Sequence, residues 1–118
     1  MVRRGEIVIL KIPYLDGNDA KVRPALVLQS DTNNRRLQHT IVAMFTGNIS
    51  RAEREPTQLL VDPATAEGRS SGLNGPSALK AESLYTVEQS EVRHVIGSLS
   101  PALMKKVGEC LKSSRDLK

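Results

Sequence analysis

The alternation of apolar and polar residues divides the chain into short β-strands followed by one amphipathic helix. Glu6 to Ile12 is rich in β-branched residues and stops at Pro13, which predicts a first strand. Asp16-Gly17-Asn18 then supplies turn chemistry, because glycine and asparagine tolerate positive φ. Pro24 to Gln29 is an almost wholly apolar run, the pattern of a strand covered on both faces. Its proline takes the first position, where a missing donor is tolerated. Ser30 or Asp31 can cap a short helical turn over Asp31 to Arg36. His39 to Thr46 and Thr57 to Val61 predict a third and a fourth strand around a polar loop, Gly47 to Pro56. Asp62 to Pro76 carries Pro, Gly and Ser throughout and reads as a long exposed loop. Ser77 to Ala81, Ser83 to Val87 and Val92 to Gly97 supply further short strands.

The pattern changes at Ser100-Pro101, an N-cap followed by proline at the first helical position. Leu103, Met104, Val107 and Leu111 recur at helical spacing and form one apolar stripe. Gly108 weakens this helix by roughly 1 kcal/mol relative to alanine, while Lys112 and Arg115 complement its C-terminal dipole. Many short strands with turn signals and one closing helix predict a small, strongly curved β-barrel that the helix plugs or flanks. A length of 118 residues suits a single domain, 1–118, with one modest core. MVRRGEIVILKIP has a charged start and an apolar centre, but Glu6 and Lys11 interrupt it and no small-residue cleavage site follows. It reads as a strand rather than a signal peptide. No apolar run approaches the ~20 residues of a membrane span, so a cytoplasmic protein is expected.

Composition narrows the chemistry. Aromatics are only Tyr14, Phe45 and Tyr85, which argues against an RNA binder that stacks bases on an aromatic platform. The net charge of +4 favours phosphate-bearing partners. Cys110 is the sole cysteine, so no internal disulfide forms, and its apolar neighbours give it a packing role. His39 and His94 stand alone, without HxxxH, CxxC or carboxylates at ligand spacing, so no metal site is expected. They read as structural histidines rather than as an acid–base pair. GxSxG is absent, and Gly72-Leu73-Asn74-Gly75 lacks the lysine of a phosphate loop.

What remains is a set of arginine, lysine and carboxylate at strand edges. Pro24 restricts Arg23 to extended backbone angles and so aims its side chain, although a salt bridge on the rim is the bland alternative. Lys80-Ala81-Glu82 alternates as a strand does, placing Lys80 and Glu82 on one face. As a mere exposed ion pair these two would contribute under ~1 kcal/mol. Thr46 by itself is a strand terminus.

The segments RRGEIVIL, VRPALVLQSDTNNRR, IVAMFTGNI and PTQLLVD, continued by SALKAESLYTV and IGSLSPALMKKV, resemble the MazF/PemK/Kid family of toxins from bacterial toxin–antitoxin pairs. The resemblance runs from about Arg4 to Leu111. It implies an SH3-like β-barrel of the CcdB/PemK type with a C-terminal helix, assembled as a symmetric homodimer. It further implies a metal-independent endoribonuclease, without cofactor, that cuts single-stranded RNA at short sequences, usually near an ACA-like core. A cognate MazE-like antitoxin would lay a peptide across the RNA site.

By the resemblance, Arg23 falls on the family's catalytic arginine and Thr46 on its active-site threonine. Glu82 falls near an acidic residue proposed in some members as base, and Lys80 near a position where some carry arginine as a proposed acid. The chain departs from the pattern at Gly47, where several members have serine, and between Tyr14 and Val22, which lacks the histidine of the Kid-like branch. Lysine for arginine at Lys80 loses bidentate phosphate recognition but gains a titratable group. Pro24, Gln29, Gly47, Asn48, Ser83 and Arg51 are the expected RNA contacts. Gln29, Asn48 and Ser83 can donate and accept, with ordinary turn bonding as their other role. Arg51, with Arg35, Arg36 and Arg54, would track the RNA backbone or meet an acidic antitoxin. Two rival readings stay open: a CcdB-like gyrase-poisoning toxin, and a catalytically inactive SH3-like protein-binding module.

Overall fold

Local sequence chemistry shows through in the strand boundaries of the computed structural model, which describes residues 1–11 and 22–114. The strands are β1 (Glu6–Lys11), β2 (Val22–Val27), β3 (His39–Thr46), β4 (Gln58–Val61), β5 (Ser77–Glu88) and β6 (Val92–Ser98). Helix α1 (Asp31–Arg36) links β2 to β3, and α2 (Pro101–Ser114) follows β6. The expected turn at Asp16-Gly17-Asn18 and Arg115 of the last helical turn lie outside the described residues.

All pairings are antiparallel, in one sheet of order β4-β5-β3-β2-β1-β6. The mainly β architecture with a C-terminal helix is therefore as expected, but the hydrogen-bonded ladder ends at β4 and β6 without closing among the described residues. Both ends are covered instead: α2 packs on β4 and β5, and a 3-10 turn at Arg69–Ser71 packs on β6.

Strand alternation sends side chains into two buried clusters. Ile7, Leu26, Phe45, Val61 and Leu79 form one with Leu73, Leu103 and Val107. Val8, Leu10, Ala25, Val27, Val42 and Met44 form the other, joined by Val87. From outside the sheet the second cluster draws only Val2 among the described residues, so the strands bend around it. Register shifts in the β1–β6 and β3–β5 ladders supply the bends. β2 feeds both clusters, as a strand covered on two faces should.

Three segments differ from the sequence pattern. β2 begins at Val22, so Pro24 is its third residue; pairing with β3 starts only at Ala25, and the missing donor interrupts no bond there. Ser77 to Val87 is one strand rather than two, because no glycine or proline breaks it and a bulge absorbs the irregularity. The segment Asp62 to Pro76 is not exposed throughout: Gly68, Ser71 and Leu73 are buried, and Ser70 Oγ donates to the Ser98 carbonyl at 2.7 Å.

The caps follow expectation. Asn33 N–H donates to Ser30 Oγ at 3.2 Å, and Leu103 N–H to Ser100 Oγ at 3.3 Å. Cys110 joins Leu103 and Val107 on the buried face of α2, its thiol donating to the Gln58 carbonyl at 3.7 Å. Burial, then the charges of Glu109 and Glu82, push its pKa up, leaving an inert packing thiol.

Candidate active site

The first residues of β2 lie beside the last residues of β3, and β5 flanks them. Ala25 pairs with Met44, and the same register carried two residues further sets Arg23 across from Thr46. On the far side of β3, Lys80 pairs with Met44 and, through the opposite edge of β5, with Gln58 of β4. Three strands, β2, β3 and β5, thus deliver Arg23, Thr46 and Lys80 to one corner.

The result is a cleft of about 190 Å³ lined by Arg23, Met44, Phe45, Thr46, Lys80, Ser83 and Tyr85. A more polar hollow of about 360 Å³ adjoins it, lined by Thr46, Asn48, Ser50, Arg51, Gln58 and Lys80. Thr46 and Lys80 belong to both walls, which makes them one continuous surface. Three cations and no carboxylate line this surface, the charge pattern of an anion site. Among the described residues no three His, Cys, Asp or Glu groups gather as a metal site would require.

Hydrogen bonding prepares the threonine. Asn48 N–H donates to Thr46 Oγ1 at 3.2 Å, which occupies a lone pair and leaves the hydroxyl hydrogen to act as a donor. Ser50 N–H and Oγ–H donate to Asn48 Oδ1 at 3.2 and 2.8 Å, so the loop after β3 is held by its own side chains. The oxygen of Asn48 is thereby engaged, and its amide hydrogens remain for a ligand. At Gly47 a Cβ would meet nothing within 4 Å, so the hydroxyl that several family members carry there is absent by sequence and not excluded by space.

Glu82 occupies the β5 bulge. The partner of Ala43 is Leu84 and that of Met44 is Lys80, which leaves Ala81, Glu82 and Ser83 without ladder partners on β3. Thr57 Oγ1 donates to Glu82 Oε1 at 3.0 Å and Gln58 Nε2 to Glu82 Oε2 at 3.1 Å. Burial raises the carboxyl pKa. The backbone, Gln58 and Thr57 hydrogen bonds together with the Lys80 charge outweigh it, and the net shift is downward. Glu82 is ionised at neutral pH.

Not every expected residue comes to the corner. Gln29 is buried, 7% exposed, with Nε2 donating to Asn34 Oδ1 at 2.9 Å and to the His39 carbonyl at 2.8 Å. Thr40 Oγ1 also donates to Asn34 Oδ1, at 2.7 Å, so Gln29 belongs to a buried network beyond the other end of β2. Pro24 precedes Ala25 and points to the opposite face from Arg23. His39 and His94 lie on β3 and β6, with β2 and β1 between them, and form no pair. Thr57, Gln58, Ser50 and Tyr85 line or brace the corner without having been legible in the sequence. Only the polar Gln58 beside core-facing Leu59 offered a signal.

The chain is similar along its length to known proteins. The model of the family described as PemK-like, MazF-like toxin of type II toxin–antitoxin system matches residues 3–114. A Staphylococcus saprophyticus protein named Endoribonuclease MazF is 26% identical, over 99% of this chain and 93% of its own. Among solved structures, an endoribonuclease in complex with its cognate antitoxin from Mycobacterial species superposes with a TM-score of 0.80 at 19% identity. That match covers 100% of this chain and 98% of the other. The Mycobacterium tuberculosis toxin MazF-mt6 gives 0.76 at 23% identity, over 96% and 98% of the two chains.

Proposed function

The chain belongs to the PemK-like, MazF-like toxins of type II toxin–antitoxin systems, and from that premise we propose that it is a metal-independent endoribonuclease for single-stranded RNA. The observation that carries this reading is the carboxylate-free corner where Arg23, Thr46 and Lys80 meet. A phosphodiester seated there would meet a guanidinium able to make two hydrogen bonds as charge builds on the phosphorane. The Thr46 hydroxyl would donate a third.

Glu82, which does not line the corner but is hydrogen-bonded to Gln58 of its lining, takes the proton of the 2′-hydroxyl, whose oxygen then attacks phosphorus. The bond to the 5′-oxygen breaks, and Lys80 supplies that oxygen with a proton. The products are a 2′,3′-cyclic phosphate and a 5′-hydroxyl. Sequence choice is read in the adjoining hollow, where Asn48 presents amide hydrogens and Arg51 a guanidinium, with Gly47 between the lining residues Thr46 and Asn48 and Ser83 in the neighbouring cleft. The relative solved with its cognate antitoxin supports an antitoxin partner, and we propose that a MazE-like peptide covers the same corner of a homodimeric, cytoplasmic protein.

Purified protein incubated with naked RNA in EDTA should cut it, with cleavage positions mapped by primer extension. Arg23→Ala should slow cleavage at least ~100-fold, the magnitude lost with one transition-state donor. Intact RNA with the wild-type protein would instead favour a gyrase-directed or purely binding role.

A further inference from the structure

An exposed glutamate in a strand bulge ordinarily turns freely, yet Glu82 has each carboxylate oxygen tied to a different side chain of the neighbouring strand. The bulge backbone is tied to the same place, since Ala81 N–H donates to the Thr57 carbonyl at 2.9 Å. We propose that Thr57 and Gln58, at the start of β4, are positioning residues that aim the Glu82 carboxylate for proton transfer, a role that rests on reading Glu82 as the proton acceptor.

The Gln58 amide carries the strongest argument. Its Oε1 is the one buried side-chain polar atom without a hydrogen-bond partner among the described residues, while its Nε2 is committed to Glu82. Turning the amide over would set its oxygen against the Glu82 carboxylate. The side chain therefore keeps an unpaired buried acceptor in order to point its N–H groups at Glu82. Such an arrangement is costly as packing and sensible as orientation.

Thr57 adds a second anchor of limited capacity. Its hydroxyl lies 3.0 Å from Glu82 Oε1 and 3.1 Å from Glu55 Oε1, and with one proton it serves one carboxylate at a time. The charged and titratable groups facing Glu82 are Lys80 on its own strand, Glu55 before β4, and on α2 Cys110 with Glu109 beside it. Of these, only Lys80 is a cation, and the Gln58 and Thr57 donors act together with the backbone hydrogen bond at Glu82 to stabilise the ionised carboxylate. Neither donor exchanges a proton in the reaction.

The test follows Glu82 itself and its chemistry in the full-length protein. Carbon-13 carboxyl NMR would titrate Glu82 in the wild type, Thr57→Val, Thr57→Ser and Gln58→Leu, beside pH–rate profiles of RNA cleavage. Thr57→Val and Gln58→Leu should each move the Glu82 titration to higher pH, carry the acidic limb of the rate with it, and lower the plateau roughly tenfold or more. A more basic carboxylate alone would speed proton removal, so a falling plateau marks lost aim. Thr57→Ser, which keeps the hydroxyl, should stay near wild type. Melting temperatures confirm that each variant is folded. RNA cleavage that both folded variants leave unchanged would overturn the hold and keep the nuclease reading. A wild type that cuts no RNA, while its Glu82 titration still responds to both variants, would overturn the nuclease reading and support the hold.

Discussion

Glu82 illustrates how neighbours set the chemistry of one side chain. Burial works against its charge, but its hydrogen bonds and Lys80 prevail, so it stays ionised below the ordinary glutamate value of 4.5. As the proposed base it is weak but ionised at neutral pH. The acidic limb of the RNA cleavage rate should therefore lie at lower pH than an unperturbed glutamate would give, as proton uptake removes the proposed base. Initial rates across acid pH would check this, and Glu82→Gln should abolish the limb together with most activity. The linkage to folding has the same sign: the folded pKa is depressed, so the contribution to stability is present above the unfolded value and lost as pH falls through the folded one. Solvent screening at this exposed side chain keeps that contribution small. Arg23 differs in kind, because its proposed role rests on where Pro24 aims its planar guanidinium.

Elements meet at places where only backbone fits. Gly97 of β6 lies under the 3-10 turn, and a Cβ there would overlap the carbonyl oxygens of Ser70 and Ser71. Gly72 ends that turn at φ 74, a left-handed conformation, with its own side-chain direction blocked by the Ile96 carbonyl. Gly97→Ala should lower stability by about 1–3 kcal/mol, as overpacking does, measured by urea unfolding. The loss should be accompanied by exposure of Leu73, which the turn carries into the core. The β5 bulge is the counterpart at the active corner. It gives up ladder bonds over Ala81 to Ser83 and in exchange places Ser83 in the cleft and Glu82 against β4.

Across the whole molecule, two clusters back to back make β2 and β3 the buried centre, and the candidate catalytic corner is built at their shared end. Leu79, fully buried, is followed directly by Lys80, so core and site are joined by one peptide unit. Leu79→Ala should cost about 2–5 kcal/mol, read from the shift in the unfolding midpoint. Removal of an exposed charge such as Lys112→Ala should stay within about 0.5 kcal/mol.

Much of this was written locally in the chain. Ser30 and Ser100 cap their helices because a side-chain oxygen needs only the next turn to bond to. His39 to Thr46 is a strand at the bounds its own residues predict, and Cys110 packs beside the helical stripe of Leu103 and Val107. Arg23, Thr46 and Lys80 were legible as types at strand edges, and their meeting was implied by family resemblance. Register alone decided what local pattern could not: that β5 would bulge at Glu82, and that Thr57 and Gln58 would hold it. Each of those depends on which distant segment lies alongside, and pairing between distant strands leaves no mark in the spacing of neighbouring residues.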